Sequence, residues 1–149
     1  MTSQYELERV KPAPRFKHSR VQTNVIMALS AYRTQYDVLP ELDIVLNGKP
    51  FVPDICVCPK GTPNWAGEEE PFCEPPLIVI EIISPSQSIE HLLSRAKDYL
   101  AAGAAWITVP AVQTLYVMHG PNDKPKPFID GIVRDEKTGI EVNVPSLFQ

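Results

Sequence analysis

No run of about 18 apolar residues occurs in this 149-residue chain, so a membrane-spanning helix is excluded. The stretch Met1 to Arg9 is polar and lacks the apolar core of a secretory signal. Cysteine is scarce and odd in number: Cys56, Cys58 and Cys73 make no disulfide framework and suit a reducing cytoplasm. Cys56-Val57-Cys58 has no second Cys or His pair at ligand spacing, so these two read as small apolar residues of a strand rather than a metal knuckle. A Gly-rich phosphate loop and a Ser/His/Asp arrangement are both missing, which ranks a small metabolic α/β enzyme last. An overall basic excess is missing too, since the formal net charge is −4. The chain as a whole does not announce a nucleic-acid binder.

What charge there is, however, is unevenly placed. Residues 1–33 hold six Lys/Arg against two acids, a balance of +4, and the remainder stands at −8. Arg9, Lys11, Arg15, Lys17 and Arg20 gather before and at the start of the first predicted helix. Two readings fit: a phosphate-steering patch, or solvated side chains on an extended arm. The length is that of a single domain, 1–149, with one core.

The organising stretch is Pro75 to Leu100. Leu77 to Ile83 is apolar on both faces, as a central strand covered above and below requires. Glu81 interrupts it. A lone carboxylate among six aliphatic neighbours is costly unless a cation or hydrogen-bond donors meet it, so Glu81 is expected to face a site. Ser84-Pro85-Ser86 ends the strand, and Ser86 or Ser88 can cap a helix over roughly Ser88 to Ala102, stopped by Gly103. Ile89, Leu92, Leu93, Ala96 and Leu100 form its apolar stripe. His91, Arg95 and Tyr99 line one border, and Glu90 and Lys97 the other.

Before that stretch, Pro12 and Pro14 keep residues 1–16 extended, and a helix is predicted from about His18 to Gln35. His18 falls at the start of its buried face, where a packed core histidine is the commoner occupant. Val38 to Leu46 reads as a strand, Asn47-Gly48 as a hairpin turn, and Phe51 to Cys58 as the partner. Alternation puts Val52, Asp54, Cys56 and Cys58 on one face and Phe51, Pro53, Ile55 and Val57 on the other. Pro53 removes a ladder hydrogen bond, so irregular pairing is expected beside Asp54. A long polar loop then fills Pro59 to Pro76. Ala104 to Val109 should lie parallel to the Glu81 strand through a right-handed crossover, with Leu115 to His119 as its hairpin partner. Short strands near Phe128 to Val133 and Ile140 to Val144 are expected to finish the sheet.

Asp54 and Glu81 are thus two carboxylates on neighbouring apolar strands, with basic side chains on the next helix. Aimed at one point they make a site for a hard divalent cation, and a nearby lysine or arginine would neutralise transition-state charge. Single acids in strands also serve as structural ion-pair members.

From about Tyr5 to Pro110 the chain resembles the PD-(D/E)XK restriction-endonuclease-like superfamily, in particular the widespread bacterial endonuclease group long catalogued as a domain of unknown function. The residues that carry the resemblance are Tyr5-Glu6, His18, Pro53-Asp54, Ile80-Glu81-Ile82-Ile83-Ser84-Pro85-Ser86, Tyr99 and Gly103. It implies an α/β fold in which a mixed central sheet is flanked by helices. It also implies Mg²⁺ or Mn²⁺ held by Asp54 and Glu81, hydrolysis of DNA phosphodiester bonds, and Glu6 and His18 near the site. A cytoplasmic protein, with or without homodimer formation, is compatible with it.

Two positions depart from the pattern. The usual E-x-K lysine is Ile83, and the helix position four residues before the tyrosine, where this group carries its lysine, is Arg95; Lys97 lies two residues on. Arginine stabilises charge but is a poor base. Trp106-Ile107-Thr108-Val109-Pro110 lacks the usual aspartate before its proline. A metal-dependent nuclease and a degenerate nuclease-fold module that binds nucleic acid or protein are therefore both in play. Arg95 is expected to face the site and Lys97 to point outward.

Overall fold

The computed structural model describes residues 15–84, 86–99 and 103–149, while the side chains of residues 95–99 lie outside the description. The apolar spacing of the first predicted helix forms α1, Phe16–Leu29, which buries His18, Val21, Val25 and Leu29 on one face. A 3₁₀ turn, Ser30–Tyr32, ends it earlier than the pattern implies. The strands β1 (Tyr36–Pro40), β2 (Ile44–Leu46), β3 (Lys49–Phe51), β4 (Ile55–Pro59) and β5 (Ile78–Ile82) follow. After β5 come α2 (Ile89–Tyr99), β6 (Ala104–Val109), β7 (Thr114–Met118), β8 (Lys126–Phe128), β9 (Ile132–Arg134) and β10 (Glu141–Asn143).

Six strands form one mixed sheet in the order β1-β4-β5-β6-β7-β8. Only β5 and β6 run parallel; the other neighbours are antiparallel. The uninterrupted aliphatic run makes β5 an interior strand, and every one of its residues is buried. Its two faces meet different partners. Ile78, Ile80 and Ile82 pack with Val21, Val25 and Leu29 of α1. On the other face, Ile83 and Ile107 pack with Leu92 of α2. The expected α/β sandwich with helices on both faces is what the chain forms.

Three expectations about the strands need correction. The predicted Val38–Leu46 strand is broken at Glu41, whose φ of 57° carries the chain out of the ladder. One long hairpin thereby becomes two ladders, β1 with β4 and β2 with β3, and Asn47-Gly48 turns the second. The second half of the hairpin is interrupted too, at residues 52–54, and this shifts the side-chain alternation. Phe51 therefore joins Cys56 and Cys58 in one cluster instead of sharing a face with Ile55 and Val57. Finally, β9 and β10 do not extend the main sheet. They pair with each other, and Val133, Ile140 and Val142 cover the α1 side of the core. The 60s loop is tied down at Phe72, whose backbone bonds to Asp43 and Val45.

Gly103 is closely approached by the backbone that leads into β5. A Cβ there would sit 2.6 Å from the Leu77 carbonyl oxygen and 2.7 Å from that of Pro76. Backbone atoms entering a central strand cannot give way. Gly103→Ala should destabilise the chain by about 1–3 kcal/mol, seen as a lower urea midpoint with an unchanged slope. An unchanged midpoint would show that the approach is not tight.

Candidate functional site

Asp54 stands at the break in the hairpin, just before β4, and is held from four sides. The β4–β5 ladder ends at Ile55↔Ile80, one residue short of Asp54 on one side and of Glu81 on the other. Asp54 Oδ2 accepts a hydrogen bond from the Ile82 amide at 2.7 Å, replacing a ladder carbonyl at the point where regular pairing stops. Its Oδ1 lies 3.2 Å from His18 Nε2. Its main-chain oxygen accepts from Gln22 Nε2 at 2.9 Å and from the Glu41 amide at 3.2 Å. His18 and Gln22 are one helical turn apart, so a single face of α1 clamps both ends of this residue.

Glu81 occupies the next strand. Its position in the strand alternation groups it with Val79 and Ile83, on the face covered by α2. Its main-chain oxygen accepts from Thr108 Oγ1 at 3.0 Å, which ties β5 to β6 beside the site. Asp54 is 1 % and Glu81 2 % exposed. Asp135, also buried, has an ordinary explanation: its carboxylate accepts from the Thr138 amide and hydroxyl in the β9–β10 turn.

His18 is the informative member. A carboxylate donates nothing when ionised, so the hydrogen between His18 and Asp54 belongs to Nε2. Nδ1 is buried, and no hydrogen-bond partner reaches it among the described residues. His18 is a buried, hydrogen-bonded histidine, as its place on the helix predicts, and its partner is Asp54. His18→Ala would remove one donor from a buried carboxylate, and we expect a loss of about 1–3 kcal/mol, measured by chemical denaturation. A variant as stable as the parent would show that the contact contributes nothing.

Arg95 and Lys97 lie on α2, but their side chains are outside the described residues, as is the whole of Glu6. Among the described residues no group of three acidic, His or Cys side chains forms a ready-made cage. Cys56 and Cys58 turn to each other, their sulfurs 3.7 Å apart; the shared hydrogen bond and burial keep the Cys56 thiol protonated. Sequence reasoning missed Gln22 and Thr108. Thr108 was visible as the one polar residue in an apolar strand, and Gln22 as the residue one turn after His18. Among the described residues no helix is long and apolar enough to cross a membrane.

Three comparisons with known proteins bear on this site. A family model named Uma2, described as "Putative restriction endonuclease", matches residues 4–130. A solved structure from Anabaena variabilis, described as "a putative nuclease belonging to DUF820", superimposes with a TM-score of 0.75 at 25% identity. The match covers 92% of this chain and 83% of that one. Among curated proteins nothing matches.

Proposed function

The chain belongs to the Uma2 family, and from that premise we propose that it is a divalent-metal-dependent nuclease hydrolysing DNA phosphodiester bonds. Family and fold carry the coarser statement, a nuclease-like protein. The observation that supports the finer one is the burial of two carboxylates close to the end of the β4–β5 ladder, Asp54 just before β4 and Glu81 in β5.

Two oxygen donors on a rigid sheet suit Mg²⁺ or Mn²⁺, and Asp54 and Glu81 would hold the ion. Bound there, the ion supplies Lewis acidity toward the scissile phosphate. The rest falls to the chain. The Ile82 amide, His18 and Gln22 fix Asp54, and His18 would be the group that takes a proton from the attacking water. Arg95, with a permanent charge and a planar fork, would neutralise charge on a phosphate oxygen but cannot act as base. Glu6 remains in the proposal on the family resemblance alone. In this reading residues 1–149 act as one nuclease domain, in a reducing cytoplasm that suits three free thiols.

The second reading, a binding module without activity, is favoured by Arg95, where the group carries lysine, and by Val109, where the strand usually ends in aspartate. Incubating the purified chain with supercoiled plasmid, single-stranded DNA and RNA separates the two. Nicked or linear plasmid in Mg²⁺ or Mn²⁺, and none in chelator, is the expected result. Binding without cleavage under every condition would leave the module. His18→Gln keeps a donor for Asp54 but no base, and should slow cleavage about 100-fold or more; an unchanged rate would remove His18 from the chemistry.

A further inference from the structure

Beside the carboxylate site, at the same end of the sheet, lies a groove of about 310 Å³ between the start of α1, the 3₁₀ turn Pro110–Val112 that follows β6, and Phe148-Gln149. Its α1 wall is built from Phe16, Lys17 and Arg20. Phe16 is 77% exposed, an unusual state for a phenylalanine, and the Arg20 guanidinium lies 6.0 Å from its ring centroid. Arg20 is held in that place: its Nε donates to the main-chain oxygen of Gln149 at 3.1 Å, an oxygen that also accepts from Asn24 at 2.9 Å. A second, shallower cleft over Ser19, Thr23 and Asn24 shares Phe16 and Arg20, so the surface continues across the helix. No acidic residue occurs anywhere in α1, and Arg15 precedes it.

We infer that this groove binds a single-stranded stretch of the DNA substrate, one base stacking on Phe16 while Lys17 and Arg20 take the flanking phosphates. The inference rests on the nuclease reading and adds where the strand runs. The combination of an open aromatic face with cations beside it, one of them held in place, is what a nucleic-acid strand recognises without regard to sequence. The size favours one unstacked nucleotide over a duplex, being at the lower end of the roughly 300–1,000 Å³ typical of small-ligand pockets. Charge complementarity is local: the chain is acidic overall, yet Arg15, Lys17 and Arg20 are all exposed within six residues. The position also fits, because β5 and β6 are parallel and the groove opens where β6 ends, two residues past Ile107, the partner of Glu81.

The test is fluorescence anisotropy with a labelled oligo-dT strand of roughly 20 nucleotides, in chelator so that nothing is cleaved, at several salt concentrations. Phe16→Ala should weaken binding roughly 5- to 100-fold. The double variant Lys17→Ala/Arg20→Ala should weaken it and flatten the log K against log salt slope by about 1.4, two phosphates' worth on a single strand. Lys126→Ala, an exposed lysine on β8, serves as the control and should bind as the parent does. Groove variants that bind like the parent, a control that loses as much as they do, or a parent that does not bind would each overturn the inference. The nuclease reading fails separately. If the parent cleaves DNA and the groove variants keep their affinity, only the groove is wrong; if binding depends on the groove and no metal brings cleavage, the groove stands and the catalytic reading falls.

Discussion

Replacing Asp54 by Asn should remove the stabilisation that the parent gains from Mg²⁺ while keeping the fold. Asparagine retains an oxygen to accept from the Ile82 amide, so the break between β3 and β4 keeps its lock. What it loses is the negative charge that a hard cation needs. A ligand bound only by the folded state stabilises it by RT ln(1 + [L]/Kd), about 1.4 kcal/mol at ten times Kd. For a domain of this size that is a rise in Tm of about 3–6 °C. We expect that shift in the parent on going from chelator to Mg²⁺, and no shift in Asp54→Asn. Equal shifts in the two proteins would mean that the ion stabilises the chain from some other place.

The second large effect concerns the basic partner. Burial of Leu92, with Ile89 and Leu93 packed beside it, fixes the inward face of α2. At 100° per residue this leaves positions 95 and 97 on opposite borders of that face. The two residues are therefore alternatives. Arg95 is one turn before Tyr99, where the family carries its lysine, and its fork suits bidentate contact with a phosphate or with Glu81. Arg95→Ala is expected to lower cleavage roughly 10²- to 10³-fold, the range for removing one preorganised charge stabiliser. Lys97→Ala should stay within a few-fold of the parent. Activity that dies with Lys97 and survives without Arg95 would reverse the assignment. Arg95→Lys is informative beside them: a faster enzyme would indicate that the missing amine limits the rate.

Much of this architecture was legible because the strongest signals were local. Seven residues with six aliphatics can only be an interior strand, and β5 is one. The stripe of Val21, Val25 and Leu29 needs only helical periodicity to be found. The misreadings arose where local pattern and tertiary pairing part company. Between Val38 and Leu46 the one local sign of a break is Pro40, directly before Glu41 with its positive φ; the Glu41 amide and Gln22 both turn to the Asp54 carbonyl there. The C-terminal strands alternate like sheet strands, yet Val133, Ile140 and Val142 find their apolar partners on the α1 side instead of at the sheet edge.

The site divides in the same way. Glu81 stands out by its surroundings and Asp54 by the neighbouring proline. That His18 meets Asp54, 36 positions along the chain, comes from the way α1 crosses the sheet, and residue spacing alone does not encode it. The family resemblance supplied that link. It could not supply Gln22, Thr108 or the Ile82 amide, whose roles are those of donors to main-chain or carboxylate oxygens and leave no residue signature.

The claim on which the rest depends is that Asp54 and Glu81 share one divalent cation. Anomalous scattering from a crystal soaked in Mn²⁺ tests it directly. A single peak between the two carboxylates, with an oxygen of each at about 2.1 Å, the distance of a small octahedral dication, is the predicted result. A map whose peaks lie only elsewhere, for instance along the exposed Glu68-Glu69-Glu70 loop, with density between Asp54 and Glu81 empty, would contradict it.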